Sequence, residues 1–212
     1  MTLTLAAGRP TLADRIFSRA LATDVVLVAA GAAFVSLAAQ LTIPLPLVPI
    51  TGQTLAVLIV GASLGATRGG LSLALYALLG FVGLPVFSPR DDGSHVVGAA
   101  AFLGSTGGFI IGFIVAAALT GWLAQQEWDR KILKAILAFS AGTLVTFAFG
   151  NLWLAYWLGA NGFPNDLNSV LVSGLYPFII GGIVKAVLAA GFIRLAWFGV
   201  NRSEAKHTAD AE

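Results

Sequence analysis

"LNSVLVSGLYPFIIGGIVKAVLAAGFI", Leu167 to Ile193, carries a single charge, Lys185, in a run otherwise dominated by apolar and small residues. About 20 predominantly apolar residues are what a helix needs to cross the roughly 30 Å hydrocarbon layer of a bilayer. A lysine in such a run costs roughly 2.5 to 3.5 kcal/mol on insertion scales, so it is tolerated beside a cavity, water or a counter-charge and not against lipid. The stretch therefore makes two statements: the chain is a membrane protein, and its interior holds something for that ammonium to meet.

Composition extends the reading to the whole chain. Its 212 residues are 58% hydrophobic and 10% charged, with mean hydropathy +0.89, whereas soluble domains are about 25% charged. The absence of cysteine excludes disulfides, iron–sulfur ligation and thiol nucleophiles. The net charge of +2 resides in loops and does not point to nucleic acid.

Gaps between charges mark six apolar segments: Asp24 to Leu41, Ile50 to Thr67, Gly69 to Phe87, Gly104 to Ala124, Ala135 to Ala160 and Leu167 to Phe198. They predict an all-α integral membrane protein, a single compact bundle of six transmembrane helices. Residues 24–199 would form the transmembrane substrate-binding domain, 1–23 a cytoplasmic N-terminal segment and 200–212 a cytoplasmic tail. Positive residues test the count, because they collect in cytoplasmic loops. Arg9, Arg15, Arg19, Arg68, Arg130, Lys131, Lys134, Arg194, Arg202 and Lys206 fall on one side, and only Arg90 on the other, with Lys185 between. Both termini are accordingly expected in the cytoplasm, and the first segment is read as a retained span rather than a signal peptide.

No Asp or Glu is expected inside any of these spans, so Lys185 is expected to lack an internal ion-pair partner and to suit an anionic ligand. A lysine bonded only to backbone carbonyls is the plain structural alternative. "GSTGG", Gly104 to Gly108, sits where an outer loop enters the fourth segment. Its free N–H groups at Thr106 and Gly107 suit a polar ligand, and its glycines equally suit tight helix packing. It lacks the Gly-Lys-Ser/Thr ending of a nucleotide-binding loop, and no ATPase activity is expected of the chain itself.

"PLPLVPITGQT", Pro44 to Thr54, is a proline-stiffened outer loop that delivers Gln53 and Thr54 as hydrogen-bonding groups. "SPRDDGSHVVG", Ser88 to Gly98, is the charged outer loop, a candidate lid with Arg90 as a second anion contact. "GASLG", Gly61 to Gly65, matches the serine-hydrolase elbow in letters only, since His95 and His207 lie far from Ser63 in this layout. On the first segment Ala29 and Ala33 belong to a small-residue face where another helix can approach closely. No metal site is expected from these two histidines.

Taken together, "PLPLVPITGQTLAVLIVGASLG", "GLPVF", "GSTGGFIIGF" and "YPFIIGGIVKAVLAA" resemble the BioY family, the biotin-binding membrane subunits of energy-coupling factor transporters. The resemblance runs from Ala29 to Ala190. It implies a six-helix subunit of the bacterial cytoplasmic membrane that captures biotin from outside, without a cofactor. A transmembrane coupling subunit and ATPase subunits would drive uptake, ATP being bound by those partners alone, and a homo-oligomer is a further option.

The resemblance assigns ligand contacts to Lys185 and to the glycine-rich turn, with Gly182 and Tyr176 beside them, and partner docking to Ala29 and Ala33. Ser105, Phe109 and Gly182 stand where the family usually has proline, tyrosine and aspartate. That last difference keeps open a subunit of the same architecture for another small carboxylate or vitamin. A receptor in which Lys185 forms a Schiff base with a retinal-like aldehyde is the alternative from another class.

Overall fold

The computed structural model describes residues 4, 5 and 8–209, with side chains described as far as residue 203. Lys206 and His207, assigned to the cytoplasmic tail, lie outside the described side chains, as do the ends of the two predicted terminal segments. In chain order the helices and strands are α1 (Leu12–Ile16), α2 (Leu21–Ala39), β1 (Thr42–Ile43), β2 (Ile50–Thr51), α3 (Gln53–Leu64), α4 (Ala66–Phe81), α5 (Ala99–Leu103), α6 (Gly107–Gln125), α7 (Ile132–Ala160), α8 (Leu167–Gly174) and α9 (Ile179–Ala209). Among the described residues the fold is helical apart from the two-residue antiparallel ribbon in which Thr42 faces Thr51 and Ile43 faces Ile50.

Among the described residues four stretches are long and apolar enough to cross a membrane: Leu21–Ala39, Gly107–Gln125, Ile132–Ala160 and Leu167–Ser203. The second expected segment is shorter than its apolar run. Helix α3 has 12 residues, about 18 Å at 1.5 Å per residue, because the chain before it is extended and proline-rich. The last segment is not one helix. It breaks at Leu175 into α8, a 3-10 turn at Tyr176–Phe178 and α9. Pro177 has no N–H to donate and disfavours helical geometry in the residue before it.

Packing follows the logic of lipid-embedded helices, with small residues inward and large ones outward. On α9, Ala186, Ala189, Ala190, Ile193 and Trp197 are buried at helical spacing, while Ile183, Val187, Leu188, Phe192 and Leu195 are exposed. Helix α6 is held against α3 and α4 by close backbone approach: a Cβ on Gly121 would strike the Gly65 backbone, and one on Gly61 the Ala117 carbonyl. The α3–α4 turn is made by Gly65 at φ +86, a conformation L side chains rarely adopt.

Beneath that turn lies a charge cluster that the gap-based reading misplaced. Arg68, expected as a loop cation, is 2% exposed in the first turn of α4. It pairs with Asp14 at 2.8 Å and with Asp24. Asp24 is fully buried inside α2, so the first span does contain a carboxylate, and it also accepts from Thr4 and the Leu5 N–H. Burial alone would raise the Asp14 carboxyl, but the Thr11 N–H and the guanidinium groups of Arg19 and Arg68 hold it below its ordinary value. Long charged side chains are inexpensive to bury only when paired and hydrogen-bonded, and here the cluster ties α1 and the start of α2 to the α3–α4 turn.

Two outcomes follow. Arg68→Ala leaves buried Asp24 without its cation and Asp14 with Arg19 alone, and is expected to cost about 3 to 5 kcal/mol, read as a lowered thermal midpoint in detergent; an unchanged midpoint would mean that the cluster is solvated. Asp129, buried in the turn before α7, accepts from the Trp197 indole; burial pushes its carboxyl up to about 6 despite that bond and Arg130. A folded-state value above the ordinary one means that ionisation opposes folding at neutral pH. Asp129→Asn should therefore raise the midpoint at pH 7.5, by an amount that shrinks towards pH 5; a gain independent of pH would contradict the assignment.

Candidate functional site

A cavity of about 670 Å³ opens among α3, α6, α7 and α9, roofed by the Pro44–Pro49 loop and by Ser88–Asp92. Its walls are aromatic: Phe87, Phe109, Phe113, Phe147 and Phe178 are all buried and face it. Phe147 is the hinge of this box, edge-on to Phe109 at 6.0 Å and tilted against Phe178 at 5.6 Å between ring centres. Such packing fixes ring orientation as well as burying area.

Lys185 enters this box from α9. Its Nζ donates to the Thr51 carbonyl at 2.6 Å and to Thr54 Oγ1 at 3.0 Å. Thr51 closes β2 and is followed by the helix-opening Gly52, so its carbonyl turns to the ammonium instead of a neighbouring turn. The plain alternative of a lysine bonded to main-chain oxygen is thus half realised. The amine meets a carbonyl and lines the cavity as well. An ammonium has three donors, and two are used.

Behind Thr51 runs a buried polar chain. The Thr51 hydroxyl donates to Gln53 Oε1 at 2.8 Å, and Gln53 Nε2 donates to the Tyr76 hydroxyl. Tyr76 in turn stands edge-on to Phe87 at 5.3 Å. Gln53 is therefore committed to the protein as well as lining the cavity. At the mouth, Arg90, Asp91 and Asp92 share one loop, which folds on itself through Arg90 N–H to the Ser94 carbonyl at 2.8 Å and His95 Nδ1 on the Phe87 carbonyl at 2.8 Å.

Of the sequence-derived residues, Lys185, Arg90, Thr106, Gln53, Thr54 and Gly182 line the cavity, and Gly107 and Tyr176 do not. Gly107 is packed against the Phe102 carbonyl and the Trp153 ring, so its glycine serves helix approach. Tyr176 is 51% exposed because the 3-10 turn sends its ring outward and Phe178 inward. Ala29 and Ala33 are exposed on α2, away from the cavity, whereas Gly31 between them is pressed on Ser72 of α4. The phenylalanine box and the Thr51 carbonyl escaped sequence reading. Phenylalanines facing a cavity and phenylalanines facing lipid have the same letter, and a carbonyl belongs to every residue.

Comparison with known proteins places this geometry. The sequence profile described as the BioY family matches residues 10–202. A biotin transporter, BioY2 of Lactococcus lactis, is 36% identical over 169 residues, 80% of this chain and 87% of its own. The biotin transporter BioY of Rhizobium etli is 35% identical over 178 residues, covering 79% and 89%. A 2.1 Å crystal structure of the S-component for biotin from an ECF-type ABC transporter superposes with TM-score 0.69 at 26% identity, covering 82% of this chain and 89% of that one.

Two glycines near the cavity have opposite expectations. A Cβ on Gly108 would collide with Trp153 and the Phe149 carbonyl, whereas one on Gly182 meets only Thr143 Cγ2 at 3.4 Å and Phe147 at 3.9 Å. Gly108→Ala should lose about 1 to 3 kcal/mol of stability and Gly182→Ala almost none, compared by thermal unfolding of the empty protein. Equal losses would show that the cavity wall at Gly182 is already full.

Proposed function

Because the chain belongs to the BioY family, we propose that it is the biotin-capturing S subunit of an energy-coupling factor transporter, a multi-pass transport subunit of the cytoplasmic membrane and not an enzyme. The observation that carries the reading is Lys185 at the wall of an aromatic cavity with one ammonium donor uncommitted. Biotin is an apolar body with a carboxylate at one end and a polar ureido ring at the other. A mostly apolar cavity with one fixed cation and a few hydrogen-bonding groups is its complement.

In this reading the carboxylate takes the free donor of Lys185, the phenylalanine box covers the apolar body, and Thr106, Thr54 and the polar chain of Gln53 are the hydrogen-bonding groups within reach of the cavity. The folded loop bearing Arg90 sits across the mouth. The subunit spans the membrane six times, α3 and α4 forming the short hairpin, with both termini in the cytoplasm and the cavity open to the outside. That orientation is supported by the ten positive residues gathered at the opposite end. A transmembrane coupling subunit would dock on the exposed Ala29 and Ala33 of α2, and ATPase subunits would supply the energy; the chain needs no cofactor of its own.

The room at Gly182 favours one second reading, a subunit of this architecture for a different small carboxylate, which mass spectrometry of ligand retained on purified protein distinguishes. The test of the first reading is a titration of the purified full chain with biotin. Saturable binding is expected, and Lys185→Ala should weaken it by at least tenfold, since a charge-assisted hydrogen bond contributes about 1.5 to 3 kcal/mol. Thermal unfolding of the empty variant separates loss of binding from loss of fold. Undiminished affinity in a folded Lys185→Ala protein would remove the role given to the amine.

A further inference from the structure

Tyr76 is fully buried on α4 and does not line the cavity, yet its hydroxyl ends a chain of bonds that begins at the ammonium of Lys185. Lys185 Nζ donates to the Thr51 carbonyl at 2.6 Å. The Thr51 hydroxyl donates to Gln53 Oε1 at 2.8 Å and accepts from the Gln53 N–H at 3.3 Å. Gln53 Nε2 then donates to the Tyr76 hydroxyl, and among the described residues it has no other acceptor. One line of contacts thus joins α9, β2, α3 and α4.

The bonds nearest the amine fix a direction. A peptide unit is planar, so the Thr51 carbonyl points where the Thr51–Gly52 plane points. The Gly52 N–H in that plane donates to the Leu41 carbonyl at 2.8 Å, and a Cβ on Gly52 would strike the Ala38 carbonyl. The two bonds between Thr51 and Gln53 close a small ring over the same peptide. Gln53 is the soft member of that ring, since its amide swings on a flexible stem. Tyr76 stops the swing. Without the hydroxyl a buried amide N–H has no acceptor, and such a donor turns to whatever oxygen it can reach, taking its grip on the Thr51 hydroxyl with it.

Tyr76 is suited to be the fixed end. It continues a stripe of buried α4 residues spaced four apart, Arg68, Ser72 and Tyr76. Arg68 is pinned by Asp14 and Asp24, and Gly31 of α2 is pressed on Ser72. The Tyr76 ring stands edge-on to Phe87 at 5.3 Å, and Gly80, one turn further, is seated on the same phenylalanine, where a Cβ would collide. A phenylalanine at position 76 would supply that packing. Only the hydroxyl supplies the bond.

We propose that Tyr76 is a positioning residue for ligand capture: acting through Gln53 and Thr51, it holds the carbonyl on which Lys185 rests and so aims the remaining ammonium donor into the cavity. That role rests on the reading of Lys185 as the contact of a ligand carboxylate. It gives α4, which contributes no lining residue, a share in telling acids from neutral molecules.

The experiment compares Tyr76→Phe with the unaltered full chain in detergent, titrated with biotin and with its neutral carboxamide. Biotin should bind roughly threefold to tenfold more weakly to the variant, about what one neutral hydrogen bond contributes, while the carboxamide is nearly unaffected. Combined with Lys185→Ala, Tyr76→Phe should add no further loss, because members of one network are not additive. A second measurement needs no ligand: trace acetylation of the empty protein with acetic anhydride, read by peptide mass spectrometry. Lys185 should react severalfold faster in Tyr76→Phe than in the unaltered chain, relative to exposed Lys131 in the same molecule. Should Tyr76→Phe fail to fold, Gln53→Met breaks the same chain one link nearer the amine and should give the same two results.

Equal weakening of biotin and its carboxamide, with Lys185 acetylation unchanged, would reduce Tyr76 to a support of the aromatic wall and overturn the proposal. Additive losses in the double variant overturn it as well, since Tyr76 would then act apart from the amine. If the unaltered chain binds no biotin, the reading of the ligand falls, and acetylation alone decides: a faster Lys185 upholds the positioning role, and an unchanged one ends it.

Discussion

An ammonium and a freed carbonyl satisfy one another across the middle of this protein: Lys185 Nζ lies 2.6 Å from the Thr51 oxygen. In hydrocarbon each unpaired backbone group costs several kcal/mol, so non-helical chain survives at membrane depth only where it is covered by protein or lines a cavity. The chain from Thr42 to Thr51 is non-helical, and most of it lines the cavity. Its prolines remove donors at three positions, its ribbon pairs four more residues, and the Ser105 hydroxyl reaches the Leu47 carbonyl. Lys185 takes the carbonyl at its end. The short α3, the cavity and the buried lysine are thus three consequences of one irregular stretch.

The two ends of the bundle solve different problems with the same means. Around the α3–α4 turn the charges are paired, the glycines let backbones touch, and Arg68 fastens the N-terminal segment to the base. Around the cavity the contacts are aromatic and edge-on, and the roof consists of loops that bond mostly to themselves. The paired charges and glycine contacts of the base fix α1, α2 and α4 against one another, whereas the roof is held by a few loop hydrogen bonds. A capture subunit needs that division, because loops with few buried apolar contacts are the low-stability part of a structure.

Much of this was legible in the letters. The apolar runs located every long helix, the lone lysine in the last run located the cavity wall, and the proline-rich and charged loops located its roof. The sequence misled where a letter has two uses. Arg68 reads as a loop cation by its place between two apolar runs, yet its partners Asp14 and Asp24 are 54 and 44 positions away, and distance along the chain hides pairs of that kind. Gly107 reads as a ligand-facing turn glycine and is a packing glycine, since both roles need only a missing Cβ. Tyr176 and Phe178 sit two apart, and the 3-10 turn that sends one out and the other in depends on Pro177, whose effect on direction is not periodic.

The two contacts of Lys185 also bear on which ligands the proposed site would take. With two of its three donors occupied, Lys185 is not an exposed charge that any polar molecule would relieve. A neutral ligand could displace neither the carbonyl nor the Thr54 hydroxyl at a gain, because each neutral hydrogen bond nets only about 0.5 to 1.5 kcal/mol. In that reading a carboxylate would add a charge-assisted bond on the remaining donor without breaking the other two, beside aromatic walls that strengthen it relative to solution. In the proposed reading the lysine reads charge and the phenylalanine box reads shape. Neither suffices alone: a small anion leaves the box unfilled, and an apolar molecule leaves the ammonium as it was.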